Sequence, residues 1–106
     1  MNPICRDIFR AIHEGKWLKI EYRNKKDERT KYWIGIWNLN IGKRTLSVEG
    51  LHLGEYKIER FDCIYIDSIL SSEVIEGSYY PVNQKLIRDI YLNPHTYEVC
   101  LIMWQI

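Results

Sequence analysis

The sequence predicts a mainly β domain with flanking helices, α+β in class. Three observations predict it. Apolar residues recur at helical spacing ahead of Gly15, period-two alternation runs from Lys16 into the seventies, and helical spacing returns after Pro81.

Asn2-Pro3 is a helix start, because Asn caps free N–H groups and Pro at the first helical position forfeits no hydrogen bond. Ile4, Ile8 and Ile12 follow at i, i+4, i+8, with Cys5, Phe9 and Ala11 beside them and charged residues opposite. Gly15 suits the left-handed residue that ends a helix. Leu18, Ile20 and Tyr22 then share one strand face, and Trp17, Lys19, Glu21 and Arg23 the other. After the polar turn 24–28, Tyr32, Ile34 and Ile36 oppose Lys31, Trp33, Gly35 and Trp37. The two strands thus carry an aliphatic face and a tryptophan-rich face, and the second must be covered by the helix, a partner or a ligand. Turn 40–43 leads to a short strand with Leu46 and Val48 inward, and Gly50 and Gly54 bracket a bend around His52. The stretches 56–61 and 63–70 supply the closing strands, with 71–75 continuing past a bulge. Short turns between five strands point to an SH3-like or Sm-like antiparallel barrel, a closure that removes exposed edges. Asn83 caps a further helix with Leu86, Ile87 and Ile90 apolar, and Asn93-Pro94 ends it and starts another. The expected organisation is a barrel domain with its N-terminal helix over 1–80 and a helical extension over 81–106, with one or two helices.

The length of 106 residues bounds the chain to one small domain. Net charge is +1, so charge as a whole does not advertise a polyanionic partner, but it is polarised. From Lys16 to Lys31 seven Lys/Arg face three Asp/Glu, and from Arg44 to Tyr80 three face seven. The basic hairpin can hold an anion locally, or it is a solvated edge whose lysines discourage pairing with other sheets. Cys5, Cys63 and Cys100 are odd in number and widely spaced, which fits reduced, buried thiols and a cytoplasmic setting. The helical pattern begins within three residues of the first, so no signal peptide is expected, and no apolar run reaches the ~18 residues of a membrane span. The final run, from Val99 to Ile106, is strongly apolar. It is expected to fold back on the barrel, to form a contact with a second copy, or to be the cut edge of a longer polypeptide, the last being the favoured expectation.

The junction from Ala11 to Tyr22, with its Ala-Ile pair, Gly15 and strand ending in Tyr, resembles the opening of WYL domains. The stretch Ile66-Asp67-Ser68-Ile69-Leu70 is similar to that family's later Leu-Asp-Arg-Ile strand. The resemblance covers about three quarters of the chain, from Pro3 to Tyr80. It implies an Sm-like barrel that senses nucleic acid or nucleotide-like anions, mostly in bacterial transcription regulators and DNA-processing proteins. Where the family's Trp-Tyr-Leu falls, this chain has Arg44-Thr45-Leu46, and the family's Arg after the aspartate is Ser68. Core positions are therefore better kept than ligand positions.

The candidate site combines Trp17 and Trp33 with Arg29, Lys31, Arg44 and Arg60: aromatic faces stack bases, and basic groups track phosphate. The plainer account packs the tryptophans on the first helix and pairs Arg60 with neighbouring carboxylates. The residues around Gly42-Lys43 lack the spacing of a phosphate loop. The three histidines and three cysteines have no metal-ligand spacing, and no paired carboxylates or Cys-His signature suggests catalysis. The expectation is a non-enzymatic sensor without metal or cofactor. Its expected ligand is single-stranded nucleic acid or a nucleotide, and no membrane is involved. The alternative is a docking module with no small ligand.

Overall fold

The computed structural model describes residues 3–97. Asn2, Cys100 and the apolar run from Val99 to Ile106 lie outside the described residues, and with them the expectations of an Asn cap and a docking tail.

Helix α1 (Pro3–Glu14) buries Cys5, Asp7, Ile8, Ala11 and Ile12 along one stripe. Gly15 closes it at φ 69°, where its N–H and that of Lys16 both bond the Ala11 carbonyl at 3.1 Å. The buried Asp7 is satisfied across the fold, because Ser72 Oγ donates to its Oδ2 at 2.7 Å.

Five strands follow: β1 (Leu18–Arg23), β2 (Arg29–Asn40), β3 (Thr45–His52), β4 (Lys57–Tyr65) and β5 (Ile69–Val74). They form one antiparallel sheet in the order β4-β3-β2-β1-β5. This is the expected helix-then-five-strand architecture. Leu18, Ile20, Ile34, Ile36, Leu46, Val48 and Ile64 pack inward with the stripe of α1. Among the described residues β4 and β5 are the two ends of the sheet, and a turn of 3-10 helix (Ile66–Ser68) carries the chain between them.

The closing strands differ from expectation. Residues 57–65 form one strand, with Asp62 and Cys63 together opposing Ser47 in a bulge, where the sequence reading placed a break. Residues 66–68, read as strand, coil into the 3-10 turn, and the Ile66 N–H bonds the Arg44 carbonyl at 3.0 Å. Cys5 is buried as expected, but Cys63 is exposed, because it sits on this edge-strand bulge. A second bulge at Trp37 shifts the β2–β3 register between Ile36 and Asn38. It also moves the inward set from Ile34 and Ile36 to Leu39.

Beyond β5 the chain is stitched to the α1–β1 junction. The Tyr80 N–H bonds the Gly15 carbonyl at 2.8 Å, Trp17 N–H bonds Ser78 Oγ at 2.9 Å, and Trp17 Nε1 bonds the Tyr79 carbonyl at 3.0 Å. Helix α2 (Gln84–Leu92) is capped by Asn83, whose Oδ1 accepts from the N–H groups of Lys85 and Leu86, while its Nδ2 donates to the Trp37 carbonyl. A short helical turn at 94–97 follows, and Leu86 and Tyr97 join the same hydrophobic core as the sheet.

Candidate functional site

The strand registers assign every outward residue to a row across the sheet. Arg60 on β4 pairs with Glu49 on β3, and Glu49 with Gly35 on β2. In the next row Ile58, Leu51, Trp33, Lys19 and Glu73 lie side by side from β4 to β5. Lys31, Glu21 and Ser71 follow, and Arg29 opposes Arg23 at the hairpin. Arg29, Lys31, Trp33 and Arg60 therefore share the outer face, with Trp17 just ahead of β1 and the Trp37 ring under Arg60.

Arg44 does not join them. It occupies the β2–β3 turn in the left-handed region, at φ 55°, and its Nη2 donates to Asp67 Oδ1 at 2.6 Å. The same residue's carbonyl accepts from the Ile66 N–H, so Arg44 ties the β2–β3 turn to the 3-10 turn that follows β4.

The tryptophans are not covered by α1. Tyr80 lies over Gly35, and the Trp17 ring meets the Tyr80 ring edge-on with centroids 5.1 Å apart. Trp37 is half-buried beneath Arg60, whose guanidinium carbon stands 5.4 Å from the ring centroid, within cation–π range. The Trp37 Nε1 is buried with no hydrogen-bond partner among the described residues. Trp33 keeps part of its surface free, and Ile58, across Leu51 in the same row, is 60% exposed.

Carboxylates interleave with the basic groups. Arg60 stands 3.9 Å from Glu49 and Arg29 3.8 Å from Glu21, contacts too long and too exposed to hold either side chain rigidly. Lys19, Glu21, Lys31 and Glu73 line an open cleft of about 300 Å3 with Ser71 and Ser72. Its charges balance. The face offers scattered cations beside aromatic rings, with no continuous positive groove. Among the described residues no three His, Cys, Asp or Glu side chains gather to hold a metal ion, and no helix is long and apolar enough to cross a membrane.

Sequence reasoning passed over a second concavity. On the inner face, where β3 and β4 run to their hairpin, Tyr32, His52 and Phe61 gather with Glu55, Lys57 and Glu59 around a cleft of about 240 Å3. Gly50 and Gly54, noticed only as the brackets of a bend, were its signal. A Cβ at Gly50 would lie 2.7 Å from Phe61 Cε2, and one at Gly54 3.2 Å from His52 Cε1.

No family model matches the chain, and no curated protein sequence matches it. Among solved structures it is similar to proteasome accessory factor B/C (PafBC) of Arthrobacter aurescens, with a TM-score of 0.52 and 14% sequence identity. The similarity covers 83% of this chain and 14% of that protein, and it is a likeness of fold.

Proposed function

We propose that this chain is a non-enzymatic, WYL-like sensor domain of a larger regulatory or nucleic-acid-handling protein. Its outer sheet face would read a short single-stranded nucleic acid or a nucleotide-like anion. The resemblance at the α1–β1 junction and the fold shared with PafBC support the WYL-like relationship. The observation that carries the ligand reading is that Arg29, Lys31, Trp33 and Arg60 share one outer face, with Trp37 under Arg60. Glu21, Glu49 and Glu73 limit it, because a long phosphate track would run over carboxylates. Stacking on Trp33, at roughly 1–3 kcal/mol per base, is then the larger contribution, with one or two phosphates held by Lys31 and Arg60. The logarithm of affinity should fall with that of salt at a slope of about −0.7 per phosphate held.

Fluorescence anisotropy with short labelled DNA and RNA single strands, read at two salt concentrations, tests this. Saturable binding that weakens with salt is expected. Lys31→Ala with Arg60→Ala should reduce both affinity and salt slope, and Arg44→Ala should leave both unchanged. Absence of binding at tens of micromolar sets the reading aside.

The docking alternative draws on a different observation, the apolar row of Ile58, Leu51 and Trp33. In that case Ile58→Glu should abolish a self-association seen by light scattering. A monomer at all concentrations removes the case for a second copy on this face.

A further inference from the structure

We propose that the inner-face cleft at the β3–β4 hairpin is a binding site for an alkylated ammonium group. Nothing on the outer face bears on it, and the two readings stand or fall separately.

The cleft is built by the strands themselves. Alternation puts Tyr32 on β2, Gly50 and His52 on β3, and Glu59 and Phe61 on β4 on the same inner side as the core. The ring centroids of Tyr32 and His52 are 5.3 Å apart with planes at 75°, and those of Tyr32 and Phe61 are 5.4 Å apart at 69°. The rings therefore present walls at steep angles to one another, and the missing side chain of Gly50 lets Phe61 settle on the backbone between them. The turn after β3 is held tightly, with the N–H of Tyr56 on the His52 carbonyl at 2.9 Å and Tyr56 itself at φ 53°. That turn brings Glu55, exposed like Glu59, into the lining of the cleft. Both carboxylates act on the Tyr32 hydroxyl, which is pushed up from its ordinary value by burial first and by Glu59 and Glu55 next.

Aromatic walls with negative faces and a carboxylate rim favour a cation. The balance of donors selects its kind. A plain ammonium brings three N–H donors that ring faces cannot satisfy, and the one lysine present, Lys57, stays on the rim with Nζ 3.3 Å from Glu59 Oε1. Alkylation replaces those donors with methyl groups that pack on rings and spreads the charge. Size argues the same way. A cleft of about 240 Å3 lies below the ~300–1,000 Å3 of sites for drug-sized ligands, so it takes a head group and leaves the remainder outside. The same head group occurs on free small cations and on methylated lysine side chains.

The test is an NMR titration of the whole chain with tetramethylammonium chloride. Sodium chloride serves as the ionic control and 3,3-dimethylbutan-1-ol as the uncharged control of the same shape. The expected result is saturable shifts of the Tyr32, His52 and Phe61 ring signals with the cation alone. Glu55→Gln with Glu59→Gln, both at exposed positions, should weaken binding at least tenfold and leave the other signals in place. Phe61→Leu should weaken it as well, and the carboxylate variant keeps the test decisive if that core-side change unfolds the chain. A trimethyllysine peptide that binds at least tenfold tighter than tetramethylammonium assigns the site to a partner's side chain, and equal affinity assigns it to a free cation. Absence of shifts with either cation, or equal binding of the uncharged alcohol, overturns the proposal.

Discussion

The ring of Tyr80 lies against the backbone of Gly35 so closely that a Cβ at Gly35 would run into ring atoms Cγ, Cδ2 and Cε2. Tyr80 reaches that place because its N–H is bonded to the carbonyl of Gly15, the residue that ends α1. One tyrosine thereby joins the end of the helix, the middle of β2 and the Trp17 ring.

Gly35→Ala is expected to destabilise the fold by about 1–3 kcal/mol, the usual cost of forcing added volume into a packed site. Chemical denaturation measures it. In a Tyr80→Ala background the same change should cost much less, because the obstructing ring is gone, and the double-mutant cycle should show coupling. Equal costs in the two backgrounds would mean that the ring does not rest on Gly35.

Arg44 separates two roles that sequence alone confounds. Arg44→Ala removes the ion pair with Asp67, which is partly exposed, and should cost no more than about 1 kcal/mol. Arg44→Gly removes the same pair but relieves the left-handed backbone at φ 55°, so it should be the more stable of the two variants. Thermal denaturation of both variants checks the order.

Asn83→Ala deletes the acceptor for the first N–H groups of α2 and the donor to the Trp37 carbonyl. A loss of about 0.5–2 kcal/mol is expected from the cap. Hydrogen exchange should accelerate at Lys85 and Leu86 and leave α1 unchanged.

Alkaline stability should fall in a defined window. The Tyr80 and Tyr97 hydroxyls are pushed up to about 12, Tyr80 by burial and then by Glu49, and Tyr97 by burial and then by its hydrogen bond to Asp89. Between the ordinary value of 10.0 and about 12 the unfolded chain has lost these protons and the folded chain keeps them. Unfolding then releases protons, so stability is full below pH 10.0 and is lost as pH rises toward about 12. Denaturant midpoints across that range should drop, and they should drop less in Tyr80→Phe.

Much of this architecture is legible without coordinates because its causes are local. The Ile4-Ile8-Ile12 spacing, Gly15 as a stop, the alternation through Leu18 and Ile20, and Asn83 as a cap depend on residues a few positions apart. Readings that failed depended on partners far along the chain. Asp62-Cys63 looked like a break between strands, yet pairing with β3 absorbs it as a bulge. Arg44 counted with the other basic groups, but Asp67, far along the chain, claims it. Tyr80 carried no signal of its own, although a glycine in the middle of a strand, at Gly35, is the usual mark of something approaching closely.

The sequence by itself determined one helix, five strands, the capped second helix and the inward sets of β1, β2 and β3, since side-chain alternation and capping are properties of the local backbone. The tertiary structure alone decided which faces are covered and which charges meet. Strand registers, bulges and the path of residues 75–83 set those neighbours, and each depends on hydrogen bonds between segments distant in sequence.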